Sequence, residues 1–293
     1  MFKGKIKTIR DGINIMKWGS NLRSKKILLL TDLLNHLGYS RNRLRKMIAG
    51  QIESSATGDE VHLKFKIKPF ASFPVKYRVN DYCDYMGLSE CLGDLYKFPE
   101  HEVFFFIDAG ANIGFFSISM MKHSKAKEAI VIEPNPNNLP LLNYNLSSFK
   151  HLSIIPIAVS NKEGEVVFEL ASSNTGHLRG SIGHLQTDDT VVVKSACLSS
   201  LIPLHWSMEN TLLKIDIEGA EYEVIPELFD KNYFPQIIVG EIHDYLQSGG
   251  EQLVQYLKSF NYSIKVSGFG DIGNVCRQFI AVRINTTETN RYL

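Results

Sequence analysis

At 293 residues the chain can form one large domain, or one domain with a smaller appendage, because single cores stop growing at roughly 250–300 residues. Apolar residues make up 44% and charged residues 22%, with a formal net charge of +1, so no global field gathers nucleic acid or an anionic membrane, and no nucleic-acid partner is expected. Four cysteines, Cys83, Cys91, Cys197 and Cys276, show no C-x-x-C spacing and read as buried thiols of a reducing compartment rather than a zinc site. Lys3, Lys5, Lys7 and Arg10 are followed by no apolar run of signal-peptide length. Nothing approaches the roughly 18 apolar residues of a membrane span. The expectation is a cytoplasmic protein.

Residues 1–60 read as polar and helical. Leu28, Leu29, Leu30, Leu33, Leu34 and Leu37 fall near helical spacing, with Gly38 as a stop. Arg41, Arg43, Arg45 and Lys46 then form a charged run, read as a solvated helix face. Residues 51–60 read as a loop. Apolar and polar residues alternate over 62–68, Pro74 interrupts, and 75–79 alternate again, which predicts a hairpin. Residues 82–96 predict a helix. The first hundred residues are therefore expected to form a helical and hairpin extension serving as a lid, a dimerisation surface or an acceptor-binding module. A homodimer is compatible with it. Residues 101–293 are expected to form the main domain.

From residue 103 the rhythm becomes strand and helix in turn. Continuous apolar runs at 103–107, 129–132, 152–159, 212–217 and 237–242 read as strands buried on both faces, with helices at 115–122, 137–147 and 221–229. Residues 165–170 and 190–196 depart from this and predict an inserted hairpin. Its long loop, 171–189, carries His177, Arg179 and His184 as candidate acceptor contacts.

The densest local signal is Phe104-Phe105-Phe106-Ile107-Asp108-Ala109-Gly110-Ala111-Asn112-Ile113-Gly114-Phe115-Phe116: an apolar strand, an acid, a glycine-containing turn and a helix start. Glycine permits the sharp turn or a close backbone approach. The two glycines are four apart, with no G-x-G-x-x-G. A carboxylate at Asp108 repels a pyrophosphate and attracts the ammonium of S-adenosylmethionine. Opposite charges about 4 Å apart are worth roughly 4 kcal/mol at an effective dielectric of about 20, before desolvation. The sign favours S-adenosylmethionine over NAD. Glu133 follows Gly114 by nineteen residues at the end of the second strand, where a carboxylate can accept both ribose hydroxyls, a feature an NAD site shares.

With Glu133-Pro134-Asn135-Pro136, Ala158-Val159-Ser160, Lys214-Ile215-Asp216-Ile217-Glu218-Gly219-Ala220-Glu221 and Glu241-Ile242-His243 in the same order, the chain resembles the FkbM family of class I methyltransferases over about residues 103–283. The resemblance implies an α/β, Rossmann-like, doubly wound sheet of seven strands. It also implies methyl transfer from S-adenosylmethionine, usually to oxygen, often on sugars or secondary metabolites. On the same grounds Asp108, Gly110, Ala111, Asn112 and Gly114 surround the methionine part and Glu133, Pro134 and Asn135 the ribose and adenosine end. Ala158 and Val159 lie by the adenine, and Asp216 borders the cofactor. The family's Leu-Asp before the fourth motif is Leu198-Ser199 here, after Cys197.

Methyl transfer is an in-line displacement in which positioning supplies up to roughly 7–11 kcal/mol and a base roughly 10²–10⁴-fold. Candidates belong at the carboxyl ends of the strands. Alternation puts Lys214, Asp216 and Glu218 on one side of the fourth strand, and Glu241 and His243 on one face of the fifth. Glu221 reads either as a helix-start carboxylate or as a functional one. His243 is expected to be the general base, with Asp216 or Glu241 orienting it or the acceptor, and Lys214 beside them. The same residues, Asp216, Glu218, Glu241 and His243, form an alternative oxygen-rich set for Mg²⁺, although no metal ligand is assigned. The expected partner is a small-molecule or glycan acceptor. Rival readings are an NAD-dependent dehydrogenase, a non-catalytic binding protein on this fold, and an RNA or protein methyltransferase. Asp108, the intact cofactor residues and the near-neutral charge argue against each in turn.

Overall fold

The computed structural model describes residues 12–36, 42–66, 72–79, 81–92, 102–170, 176–178, 189–244, 249–268 and 275–284. The chain divides into two compact units. The first comprises residues 1–97, 112–123 and 137–150; the second comprises 98–111, 124–136 and 151–293.

In the first unit, helices span Leu22–His36 and Asn42–Glu53. Ile27, Leu28, Thr31 and Leu34 of the former are buried while Leu29 and Leu33 are exposed, the spacing of a single helix face. Gly38 and Leu37 lie outside the described residues. Strands β1 (Ala56–Thr57), β2 (Glu60–Phe65) and β3 (Phe73–Arg78) form an antiparallel sheet in that order. Val61, Leu63 and Phe65 of β2, and Phe73, Val75 and Tyr77 of β3, are buried, as the alternation in the sequence requires. A helix follows at Tyr82–Leu92; the remainder of the predicted helix, to residue 96, lies outside the described residues. Helices Phe115–His123 and Leu139–Leu146 belong to this unit too. An aromatic file of Trp18, Phe65, Phe73 and Phe149, with centroids 6.0, 6.1 and 5.1 Å apart, fills its interior.

Asn145 joins three segments of this unit. Its Oδ1 accepts the Lys76 N–H at 2.7 Å, and its Nδ2 donates to the carbonyls of Lys76 at 3.0 Å and Ile113 at 2.8 Å. The side chain is fully buried, so no water replaces these bonds. Asn145→Ala is expected to lower stability by about 3 kcal/mol, the scale of leaving buried backbone groups unsatisfied. The midpoint of urea unfolding checks this; an unshifted midpoint would show that the hub contributes nothing.

The second unit contains β4 (Phe105–Ala109), β5 (Glu128–Ile132), β6 (Leu152–Ile155), β7 (Ala158–Ser160), β8 (Gly164–Leu170), β9 (Gly176–Leu178), β10 (Thr190–Cys197), β11 (Thr211–Ile215), β12 (Ile237–Asp244), β13 (Tyr262–Gly268) and β14 (Val275–Arg283). Seven of them form one sheet in the order β13-β14-β12-β11-β4-β5-β6. Neighbours from β12 to β6 are parallel, and β14 runs antiparallel to β12 and β13. This is a Rossmann-like α/β sheet, with its switch of direction between β4 and β11. Every residue of β11 is buried, and all but the first of β4, as expected of central parallel strands. Helices Glu221–Asp230 and Gly249–Ser259 complete the unit. Phe229 lies within 6 Å of Tyr256, Phe260 and Tyr262 by ring centroid. Among the described residues no helix is long and apolar enough to cross a membrane.

The apolar run expected as one strand forms two. Residues 152–159 break at Pro156, which has no N–H for the ladder; the Ile157 N–H turns back to the Ile155 carbonyl. β6 stays in the main sheet, whereas β7 pairs with β10 in a second, four-stranded sheet, β7-β10-β8-β9. Ala158 and Val159 thus do not end the third strand of the main sheet. The predicted hairpin of β8 and β10 is present and antiparallel.

Candidate functional site

The parallel register of β4 and β11 sets Lys214 directly beside Asp108. Asp108 is fully buried, and the Lys214 ammonium stands 3.5 Å from its Oδ1. That ammonium also donates to the Gly110 carbonyl at 2.5 Å and the Ala109 carbonyl at 3.4 Å, and lies 3.4 Å from Asp216 Oδ2. The cation beside Asp108 is therefore a lysine of the chain itself, which the charge argument from sequence did not include. The turn after β4 is fixed from both sides. The N–H groups of Gly110 and Ala111 donate to the Ile132 carbonyl, and Asp216 N–H donates to the Ala109 carbonyl at 3.1 Å. Gly110 has φ +79°, and a Cβ there would lie 1.8 Å from the Asp216 carbonyl oxygen. Glycine is required at this position.

Glu133 follows β5 and is buried, its Oε1 accepting the N–H of Asn135 at 2.9 Å. Asn135 is buried as well. Ala158 and Val159 are buried in β7, Val159 within the apolar core. Asn112 (φ 51°) and Gly114 (φ 92°) belong to the first unit. There a Cβ on Gly114 would meet Leu142 at 2.9 Å, so this glycine admits a neighbouring helix.

The strand-end charges cluster around His243. Its side chain is only 3% exposed, and Nδ1 lies 3.0 Å from Glu221 Oε1. Glu221, fully buried, also accepts the N–H of Ile217 on Oε1 at 3.0 Å and that of Gly219 on Oε2 at 2.9 Å. Glu221 thus gathers two backbone donors and the imidazole on one carboxylate, and with Nδ1 turned to it, Nε2 faces the other side of the ring. There Glu218 Oε2 stands at 3.4 Å, Asp216 Oδ1 at 3.7 Å and Glu241 Oε2 at 3.7 Å. The two bonds from Glu221 also shape the loop that holds Glu218 at φ 56°, a conformation few residues with a Cβ adopt. Burial pushes the Glu218 carboxyl up to about 7, against the pull of His243 and with added push from Asp216, Glu221 and Glu241. Asp216, Glu241 and His243 each bring a ligand-type atom within 4.8 Å of the others.

The structure thus gathers Lys214, Asp108, Asp216, Glu218, Glu241 and His243 at the carboxyl ends of β4, β11 and β12. The carboxylate on Nδ1 is Glu221, rather than Asp216 or Glu241, which lie off Nε2. One participant, Gln278, has no place in the sequence reading, and another, Glu221, has no partner assigned there. Glu221, open in sequence between a helix-start acid and a functional one, is the partner of His243; its place two residues beyond Gly219, which takes positive φ, is the available signal. Gln278 donates to Glu241 Oε1 at 3.4 Å from directly across the β12–β14 pair, and β14 was not read as a strand. Ser199, where the family's acid is replaced, donates its hydroxyl to Glu227 at 2.5 Å. Cys83, Cys91 and Cys197 carry thiols rather than disulfides. Arg179 and His184 lie outside the described residues, as does the side chain of His177.

The methyltransferase FkbM domain model matches residues 108–264, more than half of the chain. The chain belongs to the FkbM methyltransferase family. No curated protein sequence matches it. Among solved structures, this FkbM domain is similar to methyltransferase FkbM from Methylobacillus flagellatus KT, at 14% identity and a TM-score of 0.43 over 93% of this chain and 58% of that one. It spans, then, well under two thirds of the Methylobacillus protein. Precorrin-6y C5,15-methyltransferase from Geobacter metallireducens GS-15 shows 12% identity and a TM-score of 0.38, covering 63% of this chain and 82% of that one. TrmK of M. capricolum, in complex with S-adenosyl-homocysteine, shows 11% identity and a TM-score of 0.36, covering 63% and 66%.

Proposed function

We propose that the chain transfers the methyl group of S-adenosylmethionine to a hydroxyl of a sugar, glycoconjugate or secondary metabolite, with His243 as the general base. The observation that carries this reading is the pair of hydrogen-bonding states on the imidazole: Nδ1 is committed to buried Glu221, so Nε2 is the atom that can take a proton. The acceptor oxygen forms the new bond to carbon, its proton passes to Nε2, and Asp216, Glu218 and Glu241 stabilise the imidazolium that results. S-adenosylmethionine supplies an electrophilic methyl group and leaves as S-adenosylhomocysteine.

The residues of the second unit fit such a donor. Glu133, at the end of the strand beside β4, is proposed to accept the ribose hydroxyls, with Pro134 and Asn135 beside it; the Asn135 N–H bond to Glu133 Oε1 supports its orientation. Gly110 and Ala111 form the turn over which the methionine part is proposed to lie. Asp108, neutralised by Lys214, is proposed to hold that turn and its charge balance rather than to pair alone with the cofactor ammonium. Ala158 and Val159 are proposed as apolar neighbours of the adenine.

Calorimetry with S-adenosylmethionine and S-adenosylhomocysteine tests the donor, and a screen of glycosides and phenols with labelled donor tests the acceptor. Folded protein without affinity for either compound would overturn the reading. Glu133→Ala is expected to weaken S-adenosylhomocysteine binding by about 1.5–3 kcal/mol, the range for hydrogen bonds to a charged group, or roughly 10–150-fold. Unaltered affinity would remove Glu133 from the site.

A further inference from the structure

We propose that Asp216, Glu241 and His243 bind one divalent first-row transition ion through Oδ1, Oε2 and Nε2. This rests on the reading above, that the cluster handles the acceptor hydroxyl, and adds to it the group that grips the oxygen.

Metal-binding side chains are held by partners on their second atom, and that holding fixes orientation and, for histidine, the tautomer. All three residues show it. His243 Nδ1 is held by Glu221 at 3.0 Å. Asp216 Oδ2 faces the Lys214 ammonium at 3.4 Å while Oδ1 faces Nε2. Glu241 Oε1 receives Gln278 Nε2 at 3.4 Å while Oε2 faces the imidazole. Each side chain thus has one atom anchored outward and the other turned to a shared point, and the three inward atoms lie within 4.8 Å of one another. Ligands about 2.0–2.2 Å from one ion are themselves about 3–4 Å apart, so closure needs side-chain shifts of about 1 Å. A nearby lysine does not oppose this, because its ammonium is spent on Asp108, the other oxygen of Asp216 and two carbonyls.

The donor set also selects the ion. Mg²⁺ prefers oxygen ligands alone; one imidazole nitrogen with two carboxylates suits Mn²⁺, Fe²⁺ or Zn²⁺ better. With an ion on Nε2 the imidazole is a ligand and no longer the base: the ion would polarise the acceptor hydroxyl and fix its position, and the Glu218 carboxylate, 3.4 Å from Nε2, would take the proton, so ligand and base are alternative roles of one nitrogen.

The test uses the full chain, stripped of metal by chelation and titrated with Mn²⁺ alone under electron paramagnetic resonance. One Mn²⁺ per chain is expected, with nitrogen coupling from one imidazole in the pulsed spectrum. Glu241→Gln is expected to weaken uptake at least tenfold, and Gln278→Leu, which touches no ion, about 10–100-fold. His243→Ala is expected to abolish the nitrogen coupling. Circular dichroism screens each variant for folding, and the wild-type spectrum is informative on its own. Absence of saturable uptake overturns the proposal, as does uptake without nitrogen coupling or uptake unaltered in both Glu241→Gln and Gln278→Leu. Protein that binds S-adenosylhomocysteine but no Mn²⁺ loses only the metal; protein that binds no S-adenosylhomocysteine loses the methyl-transfer reading, whatever it does with Mn²⁺.

Discussion

Gly110→Ala is expected to destabilise the protein by about 4 kcal/mol or more, which places it among the most damaging single substitutions. Two penalties coincide. A methyl carbon at this position would stand 1.8 Å from the Asp216 carbonyl oxygen, and the residue sits at φ +79°, where a Cβ is strained even in open space. The neighbouring backbone cannot yield. Asp216 N–H is tied to the Ala109 carbonyl, Gly110 N–H to Ile132, and the Gly110 carbonyl to Lys214. Moving any of these opens the β4–β11 junction. Thermal unfolding and S-adenosylhomocysteine binding should fall together. A wild-type melting temperature would mean that the turn is far more plastic than these distances imply.

His243→Ala is expected to reduce turnover about 10²–10⁴-fold, the contribution of a positioned base, while leaving S-adenosylhomocysteine affinity within a factor of about two to three. The separation arises because His243 lies on β12, three strands from β5, where Glu133 is proposed to hold the ribose. Buried Glu221 loses one donor in this variant but keeps the N–H groups of Ile217 and Gly219, so the loop and the strained Glu218 should persist. Initial rates on any acceptor from the glycoside and phenol screen, set beside calorimetry, make the measurement. Equal turnover in the variant would remove His243 from the mechanism.

Much of the sheet was legible because its strands are buried on both faces and read as plain apolar runs. β4, β5, β11 and β12 all announced themselves this way, and the acids at their ends followed. The reading failed where one residue outweighed the run. Pro156 divides 152–159 between two sheets although seven of those eight positions suit a strand. β13 and β14 are not legible as apolar runs because Lys265, Arg277 and Gln278 interrupt their hydrophobicity. In the candidate site, the residues on strand ends were found by alternation. Their partners were not. Glu221 reaches His243 from a helix, Gln278 reaches Glu241 from a strand far along the chain, and Lys214 meets Asp108 through a register no local pattern records. Pairings across the sheet are long-range facts, and a one-dimensional pattern carries only the half that sits on each strand.

Lys214, on β11, ties the ends of two neighbouring strands together through a single charge. Its single positive charge is divided between Asp108, under the donor's turn, and Asp216, at the edge where the acceptor is proposed to sit. A cation arriving at either acid releases part of that charge toward the other. Neutralising either acid therefore changes the electrostatic surroundings of the other, and that coupling has one value whichever side it is measured from.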